Sequence, residues 1–452
     1  MDQPLKWREL FQNGRGPLTV GILLVEFLVA VQALVVTAIM PAIQKDLGGL
    51  GYYGLVLSGF SIAALVAAPT AGRATDRRGP ARPFLLFSGL FIVGTVLAGA
   101  ATSMPLLAVM RVIQGYGAGG SYTAALVAIT RSLPESGRAR VLALLSGAWV
   151  IPGLFGPSYG ALLASTLGWR AAFFSMIPLT IAATLLMLPA LRSIAPLAIP
   201  PEQLGLRWPL QLAGGIAIVV GGLSLLSWFS LPLITAGLPL TWTALKRILP
   251  AGSLRARPGM PAAVVAIFLL IFSFIGADYF IPLLLTGVRG RSLTEAGIVI
   301  TLGTVSWSLG SWWQSRVTTM YSRSTLARLG TLILMLALVG ILLTLIGAPL
   351  AIPYLSWLMA GIGMGIAYPT AYLVIMEGAA SAGAGAAVSS GEVAERLGLA
   401  LGGGFGGACI ALALGVHASL VIGLAGALLL AVLAALAALA LAPRLDVRFP
   451  LA

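Results

Sequence analysis

Four acids stand within or at the ends of long apolar stretches: Glu26, Asp278, Glu377 and Glu395. Glu26 lies eight residues into the first stretch, so roughly 12 Å deep at 1.5 Å of helix per residue. A carboxyl at that depth holds either a proton or a cationic partner, and that exclusion is the simplest exchange chemistry. Asp278 sits nearer the outer end of its stretch, where a solvated acid at the mouth is the competing reading. Glu377 and Glu395 lie closer to the opposite boundary, and a structural role is expected of both. Arg111 is a cation inside a stretch, where it is costly unless paired or hydrated, so it is expected to face the interior. Polar groups that suit a central cavity are Gln32, Gln114, Tyr122, Tyr279, Gln314 and Tyr372. Trp149, Trp307 and Tyr368 suit an apolar, adaptable wall, whereas Trp312 and Trp313 read as membrane-interface residues. A single Cys (Cys409) and a single His (His417) leave no disulfide, thiolate metal site or His-based catalysis to expect. No catalytic residue, metal site or cofactor is assigned.

These groups need apolar elements to hold them, and the composition supplies little else. The chain has 452 residues, 59% hydrophobic and 9% charged, against about a quarter charged in soluble domains. Its mean hydropathy is +1.02. Too little polar surface remains for a water-soluble domain, and the hydrophobicity excludes disorder. A polytopic, all-α membrane protein is what is left. A crossing helix needs roughly 20 apolar residues, and the candidates are 18–40, 52–72, 83–101, 104–131, 138–165, 169–191, 209–228, 230–248, 260–285, 294–315, 326–347, 351–376, 387–415 and 417–441. The first is too long for a signal-peptide core and reads as a span.

The count runs six, two, six. It predicts an N-terminal six-helix bundle over 1–191, a linker with two extra transmembrane helices over 192–259, and a C-terminal six-helix bundle over 260–452. Such halves suggest an internal repeat of the kind secondary transporters use. Pro232 and Pro239 interrupt the second middle helix, so twelve spans plus a shallow hairpin is the alternative to fourteen. The formal net charge of +14 follows the spans. With both termini placed in the cytoplasm, 22 of the 27 cations fall in cytoplasmic segments. Lys45, Arg170, Arg289 and Arg291 fall outside, and Arg111 within a span. That asymmetry orients a multi-pass protein of a bacterial inner (plasma) membrane, and nucleic acid is not an expected partner.

Several motifs carry a resemblance. Gly72-Arg-Ala-Thr-Asp76-Arg77-Arg78-Gly79, ending at Arg82, is similar to the signature loop between spans 2 and 3 of the major facilitator superfamily. The basic pair usual after the second Gly is replaced by Pro80 and Ala81. Arg111-Val-Ile-Gln114-Gly115-Tyr-Gly117 resembles the fourth-span pattern of the same superfamily. Pro152-Gly153-Leu-Phe-Gly156-Pro157-Ser-Tyr-Gly160 resembles the antiporter motif of its drug:proton exporters, with Ala143 and Pro152 where two upstream glycines would stand. The end of span 1, through Pro41 and Asp46, resembles the first-helix motif of the fourteen-span exporters. That motif carries an acid nine residues before the Pro, where this chain has Gln32. Glu26 lies six residues earlier, about 120° away around the helix. The corresponding loop of the second half, Gln314 to Arg323 after the span 294–315, lacks the Asp. The Gly115–Gly120 match to a dinucleotide fingerprint follows a span and no strand, so it is set aside.

The resemblance implies the major facilitator fold, two six-helix bundles with two extra central helices. It implies proton-coupled efflux (antiport) of lipophilic, possibly cationic compounds by alternating access, driven by the proton gradient. Glu26 and Asp278 would carry protons, with Arg111 tuning them. Gly72, Asp76, Arg77, Gly79 and Arg82 would form a cytoplasmic gate loop latching the halves, and Gly156, Pro157 and Gly160 the antiporter motif. Gln32, Gln114, Tyr122, Trp149, Tyr279 and Tyr372 would line the substrate cavity. Small-molecule substrate, protons and the lipid bilayer are the expected partners, and the chain is expected to be a monomer. The alternative keeps the fold and changes the cargo to a specific metabolite, sugar or lipid, without proton coupling. An enzyme is not expected: there is no Gly-x-Ser-x-Gly, no phosphate loop and no paired acids at metal spacing.

Overall fold

The computed structural model describes residues 10–12, 16–133, 137, 140–141, 144–145, 147–196, 206–225, 230–378 and 384–446. Fourteen long helices follow one another among them. The first six are α1 (Gly16–Leu47), α2 (Tyr53–Arg78), α3 (Ala81–Gly99), α4 (Met104–Ser132), α5 (Val150–Thr166) and α6 (Met176–Arg192). A middle pair follows, α7 (Arg207–Leu225) and α8 (Ser230–Ile248). The last six are α9 (Met260–Asp278), α10 (Leu293–Val317), α11 (Arg323–Leu345), α12 (Ala351–Glu377), α13 (Ala384–Gly415) and α14 (Leu420–Leu441). Among the described residues nine helices are long and apolar enough to cross a membrane. The expected start of the fifth span, 138–149, and the linker 192–208 fall partly outside the described residues.

The helices run up and down, so each has one end beside the start of α1, the near end, and one beside its finish, the far end. Within the first half α2 and α3 pack on α4, and α1 packs on α5 and α6. Within the second, α9 packs on α13 and α14, and α12 on α10 and α11. Polar caps fix several ends. Ser292 and Glu295 form a reciprocal capping box at the start of α10, satisfying donors that the first helical turn leaves free. At the far end Arg170 binds Asp46 at 2.7 Å and the Ala101 carbonyl at 3.2 Å, tying three chain segments together.

The halves meet along two seams, α2 against α13 and α5 against α10. At the far end the first seam closes backbone to backbone. A Cβ built on Gly54 would overlap the Gly403 carbonyl oxygen and come 2.5 Å from the Gly407 Cα. Tyr53 and Phe280 close the same end with ring centres 5.7 Å apart. The middle helices are not an appendage beyond the bundles. They pack on each other, and α7 lies against both α2 and α13. Leu212, Ile216 and Val220 of α7 join Ile62 and Leu65 of α2 and Leu397 and Ala400 of α13 in one apolar cluster.

Candidate functional site

The residues of the expected gate loop are mostly helical. α2 continues through Arg78, so Asp76 sits in its last turn and not at a helix N-terminus. A carboxylate there opposes the helix dipole, and Arg131 at the end of α4 offsets it with an ion pair. Both partners belong to the first half, so in this conformation the pair does not bridge the halves. Gly79 stops the helix at φ 71°, a backbone state that favours glycine. Arg77 and Arg82 are exposed, and Gly72 has open space beside it. The second half answers with the charges reversed. Arg323 at the start of α11 holds Glu377 at the end of α12 at 2.7 Å. That pair stands beside the loop where the sequence lacks an Asp.

Arg111 has no carboxylate partner among the described residues. It donates to Gln114 Oε1 at 2.7 Å and to the Val56 carbonyl at 3.3 Å, and its guanidinium lies 4.4 Å from the centre of the Phe60 ring. Gln114 in turn donates to Thr95 at 2.9 Å and accepts from Gln32 at 3.3 Å. The cluster is closed: Arg111 is 2% exposed, Gln32 1% and Gln114 0%. Gln32 and Gln114 therefore form a buried clamp and not a cavity wall in this conformation. Carbonyl, amide and ring together supply the compensation that a buried cation requires. Tyr279 is buried too, packed against Gly403 beneath the far-end seal. Gln314 is buried and donates to Thr370 at 3.2 Å, joining α10 to α12.

Asp278 is not a solvated acid at the mouth. It is 5% exposed and accepts a hydrogen bond from Trp357 Nε1 at 2.9 Å. Trp357 begins an aromatic column. It stacks on Phe274 at 4.8 Å, Phe274 meets Trp307 at 5.2 Å, Trp307 meets Tyr368 at 5.6 Å, and Tyr368 meets Tyr372 at 5.8 Å. The column ends on an acid, because the Tyr368 hydroxyl donates to Glu395 Oε2 at 2.7 Å. Asp278→Asn preserves an acceptor for Trp357 and is expected to leave thermal unfolding in detergent nearly unchanged. Asp278→Leu strands a buried indole N–H and is expected to lose about 1–3 kcal/mol of stability. Equal unfolding midpoints for the two variants would refute that assignment.

Glu26 lies in the near half of α1, half-buried, and accepts from Trp149 Nε1 just before α5. Across from it, on α13, stand Glu392, Glu395 and Arg396, close enough to act on its charge. Arg396 lies 3.9 Å from Glu392 one turn away. Tyr122 on α4 feels the same four charges. Glu26, Tyr122, Trp149, Tyr368, Tyr372, Glu392, Glu395 and Arg396 are all partly exposed, although each lies well inside the bundle. They come from α1, α4, the approach to α5, α12 and α13, so both halves contribute to the group, and the far end beyond them is closed by the contact of Gly54 with Gly403. The sequence named Glu26 for proton coupling and Tyr122, Trp149 and Tyr372 as cavity groups, and all four fall in this group. It gave Glu395 a structural role near a boundary and did not single out Arg396, although both fall within the expected span 387–415 and within α13.

The antiporter-motif residues divide between two partners. Gly156 and Gly160 face α1 of their own half, where a Cβ on Gly160 would lie 2.8 Å from Val35. The approach to the other half is made instead by Gly153, against Thr304, and by Gly297 of α10, whose added Cβ would lie 3.1 Å from the Pro157 carbonyl oxygen. Among the described residues no cluster of His, Cys, Asp and Glu could hold a metal ion.

Comparison with known proteins bears on the whole bundle. The model of the Major Facilitator Superfamily matches residues 22–403. The multidrug transporter protein MdtP of Bacillus subtilis is 25% identical over 413 residues, 86% of this chain and 74% of that protein. A tetracenomycin C resistance and export protein of Streptomyces glaucescens is 29% identical over 60% of this chain and 53% of its own length. The chain thus spans about three quarters of one relative and about half of the other. Among solved structures, a POT family transporter in complex with 5-aminolevulinic acid superposes with a TM-score of 0.70 at 14% identity, over 96% of each chain. An inward-facing bacterial homologue of the human lysosomal transporter Spinster gives 0.66 at 18% identity, over 98% of this chain and 97% of that one. These likenesses are of fold, and the family match covers most of the sequence: the chain belongs to the Major Facilitator Superfamily and is a membrane transporter, not an enzyme.

Proposed function

We propose that this transporter exports lipophilic cations in exchange for protons. The observation that carries the reading is a pair of deep carboxyls, one in each half, each held by an aromatic donor: Glu26 by Trp149 and Glu395 by Tyr368. In this reading they line an opening between the halves. A cation entering there meets one carboxyl and several rings from each side, and rings attract cations without demanding one shape. A proton on Glu26 and a cation beside it compete for the same charge, so release of one accompanies uptake of the other. The drug-export names of relatives such as MdtP support the same cargo class. Arg111, walled off from the opening, acts as a fixed positive charge in the first half and not as a direct proton partner. Alternating access follows from rocking of the halves about their seams, with the near end cytoplasmic. The pairs Asp76–Arg131 and Arg323–Glu377 stand at the rim that must come together when that end closes. At 19 residues each, α7 and α8 reach about 28 Å, close to the thickness of a hydrocarbon core, which supports fourteen spans.

The test is proton movement in liposomes holding the purified protein and an internal pH dye. Addition of a lipophilic cation from a panel is expected to move protons, and a neutral analogue of the same size is not. Proton movement with sugars or amino acids and none with the cations would overturn the cargo class. Cation flux with no accompanying proton would overturn the coupling.

A further inference from the structure

The middle helices end in a cluster of cations that transport does not use. At the near end of α8 and in the turn leading to α9 lie Lys246, Arg247, Arg255 and Arg257, and Arg207 starts α7. All five are exposed, and among the described residues none forms an ion pair. No Asp or Glu occurs in the sequence between Glu202 and Asp278. Their partners are indoles instead. Lys246 Nζ lies 5.1 Å from the centre of the Trp242 ring, and Arg207 and Arg247 lie 4.9 and 5.5 Å from that of Trp208.

The cations surround a concavity. A cleft of about 380 Å³ is lined by Trp242, Lys246, Leu249, Gly252, Arg255 and Arg257, among others. The turn beside it is braced by the segment after α14, because the guanidinium of Arg444 donates to the Ala256 carbonyl at 3.0 Å and the Gly259 N–H donates to the Arg444 carbonyl at 2.8 Å. In that braced turn the Ser253 hydroxyl is buried and makes no hydrogen bond among the described residues. An apolar track leads away from the cleft. Leu231, Leu238 and Trp242 are 70%, 53% and 49% exposed, and their spacing of seven and four residues puts them on one face of α8.

We propose that this cleft binds the headgroup of an anionic phospholipid from the near-end leaflet. Its phosphate is held by Lys246, Arg255 and Arg257, Trp242 lies at the glycerol level, and an acyl chain follows the Leu238–Leu231 face. A free phosphate would satisfy the cations and leave the apolar track unused, so the lipid is the better match. The bound headgroup pins the turn that joins the middle pair to the second half. The proposal rests on α8 lying in the bilayer, and not on the identity of the cargo.

The experiment is native mass spectrometry of the delipidated full-length protein. It is titrated with phosphatidylglycerol, with phosphatidylcholine of the same chains, and with inorganic phosphate. Phosphatidylglycerol is expected to bind in preference, and the preference to shrink by about two orders of magnitude when Lys246, Arg255 and Arg257 are all replaced by Gln, at roughly fivefold per cation. Arg316→Gln, a cation stacked on Trp312 at 3.8 Å in another part of the chain, is expected to leave it intact. Arg257→Gln alone gives the same direction with a smaller loss if the triple variant does not fold. Equal binding of the two lipids, a preference that survives the triple variant, or displacement of the lipid by inorganic phosphate would each overturn the proposal. Transport is not read, so failure here and failure of the export reading are separate outcomes.

Discussion

Glu26→Gln is expected to abolish proton movement evoked by lipophilic cations while the protein folds and inserts as before. The substitution is nearly isosteric and keeps an acceptor for Trp149 Nε1, so the local geometry survives. What disappears is the ability to ionise. A charge-assisted contact contributes about 1.5–3 kcal/mol, so cation affinity should fall by roughly 10- to 100-fold, and affinity for a neutral analogue should stay. Trp149→Phe removes the donor and keeps a ring, and a partial loss is expected from it. Binding of a fluorescent lipophilic cation and the liposome dye signal are read on the same preparation. Proton movement that persists in Glu26→Gln would relocate the carrier, with Glu395 next and Asp278 after it.

The second large effect comes from a residue with no chemistry. Gly54→Leu is expected to hold the transporter with its far end open and to stop turnover. The side chain has nowhere to go while α2 and α13 touch, because the Gly403 carbonyl and the Gly407 Cα already occupy the space of a Cβ. Overpacking of this kind costs about 1–3 kcal/mol, which shifts a two-state equilibrium by roughly 5- to 150-fold away from the closed far end. Labelling of a cysteine placed at Phe280, in a Cys409→Ser background, by a membrane-impermeant maleimide from the far side should rise accordingly. Gly54→Ala should fall between the two. Unchanged labelling with lost transport would place the defect elsewhere than in the seal.

Hydropathy made the helices legible, since an apolar run of span length has few other uses. It also found the deep acid, because Glu26 interrupts such a run. What it could not supply was the partner of each polar group. Arg111 is compensated by the Val56 carbonyl, Gln114 and a ring, and neither a backbone oxygen nor a ring announces itself in sequence as a counter-charge. A solvated mouth was the competing reading for Asp278 because it stands near a helix end, yet it is buried and accepts from Trp357 of α12, a partner 79 residues away in sequence. Glu395 read as peripheral for the mirror-image reason. The span itself was legible at 387–415, but the polar residues around Glu395 made its first turns read as boundary; α13 begins at Ala384, so Glu395 is about 16 Å along it. The motif glycines were visible as motifs, but which neighbour each one approaches depends on the rotation of α5, which spacing alone leaves free.

The placement of α7 gives the molecule two unlike flanks. Along α2 and α13, Leu212, Ile216 and Val220 wall off the seam from the lipid. Along α5 and α10 no such cover exists among the described residues, and Ile151, Phe155, Leu162 and Leu309 are bare, each 58–61% exposed. On the export reading, a cargo that has partitioned into the bilayer would meet armour on one side and an uncovered wall on the other. The two flanks would then differ in how such a cargo could approach from the leaflet, and that difference is set by the middle helices, which contribute none of the acids grouped around Glu26.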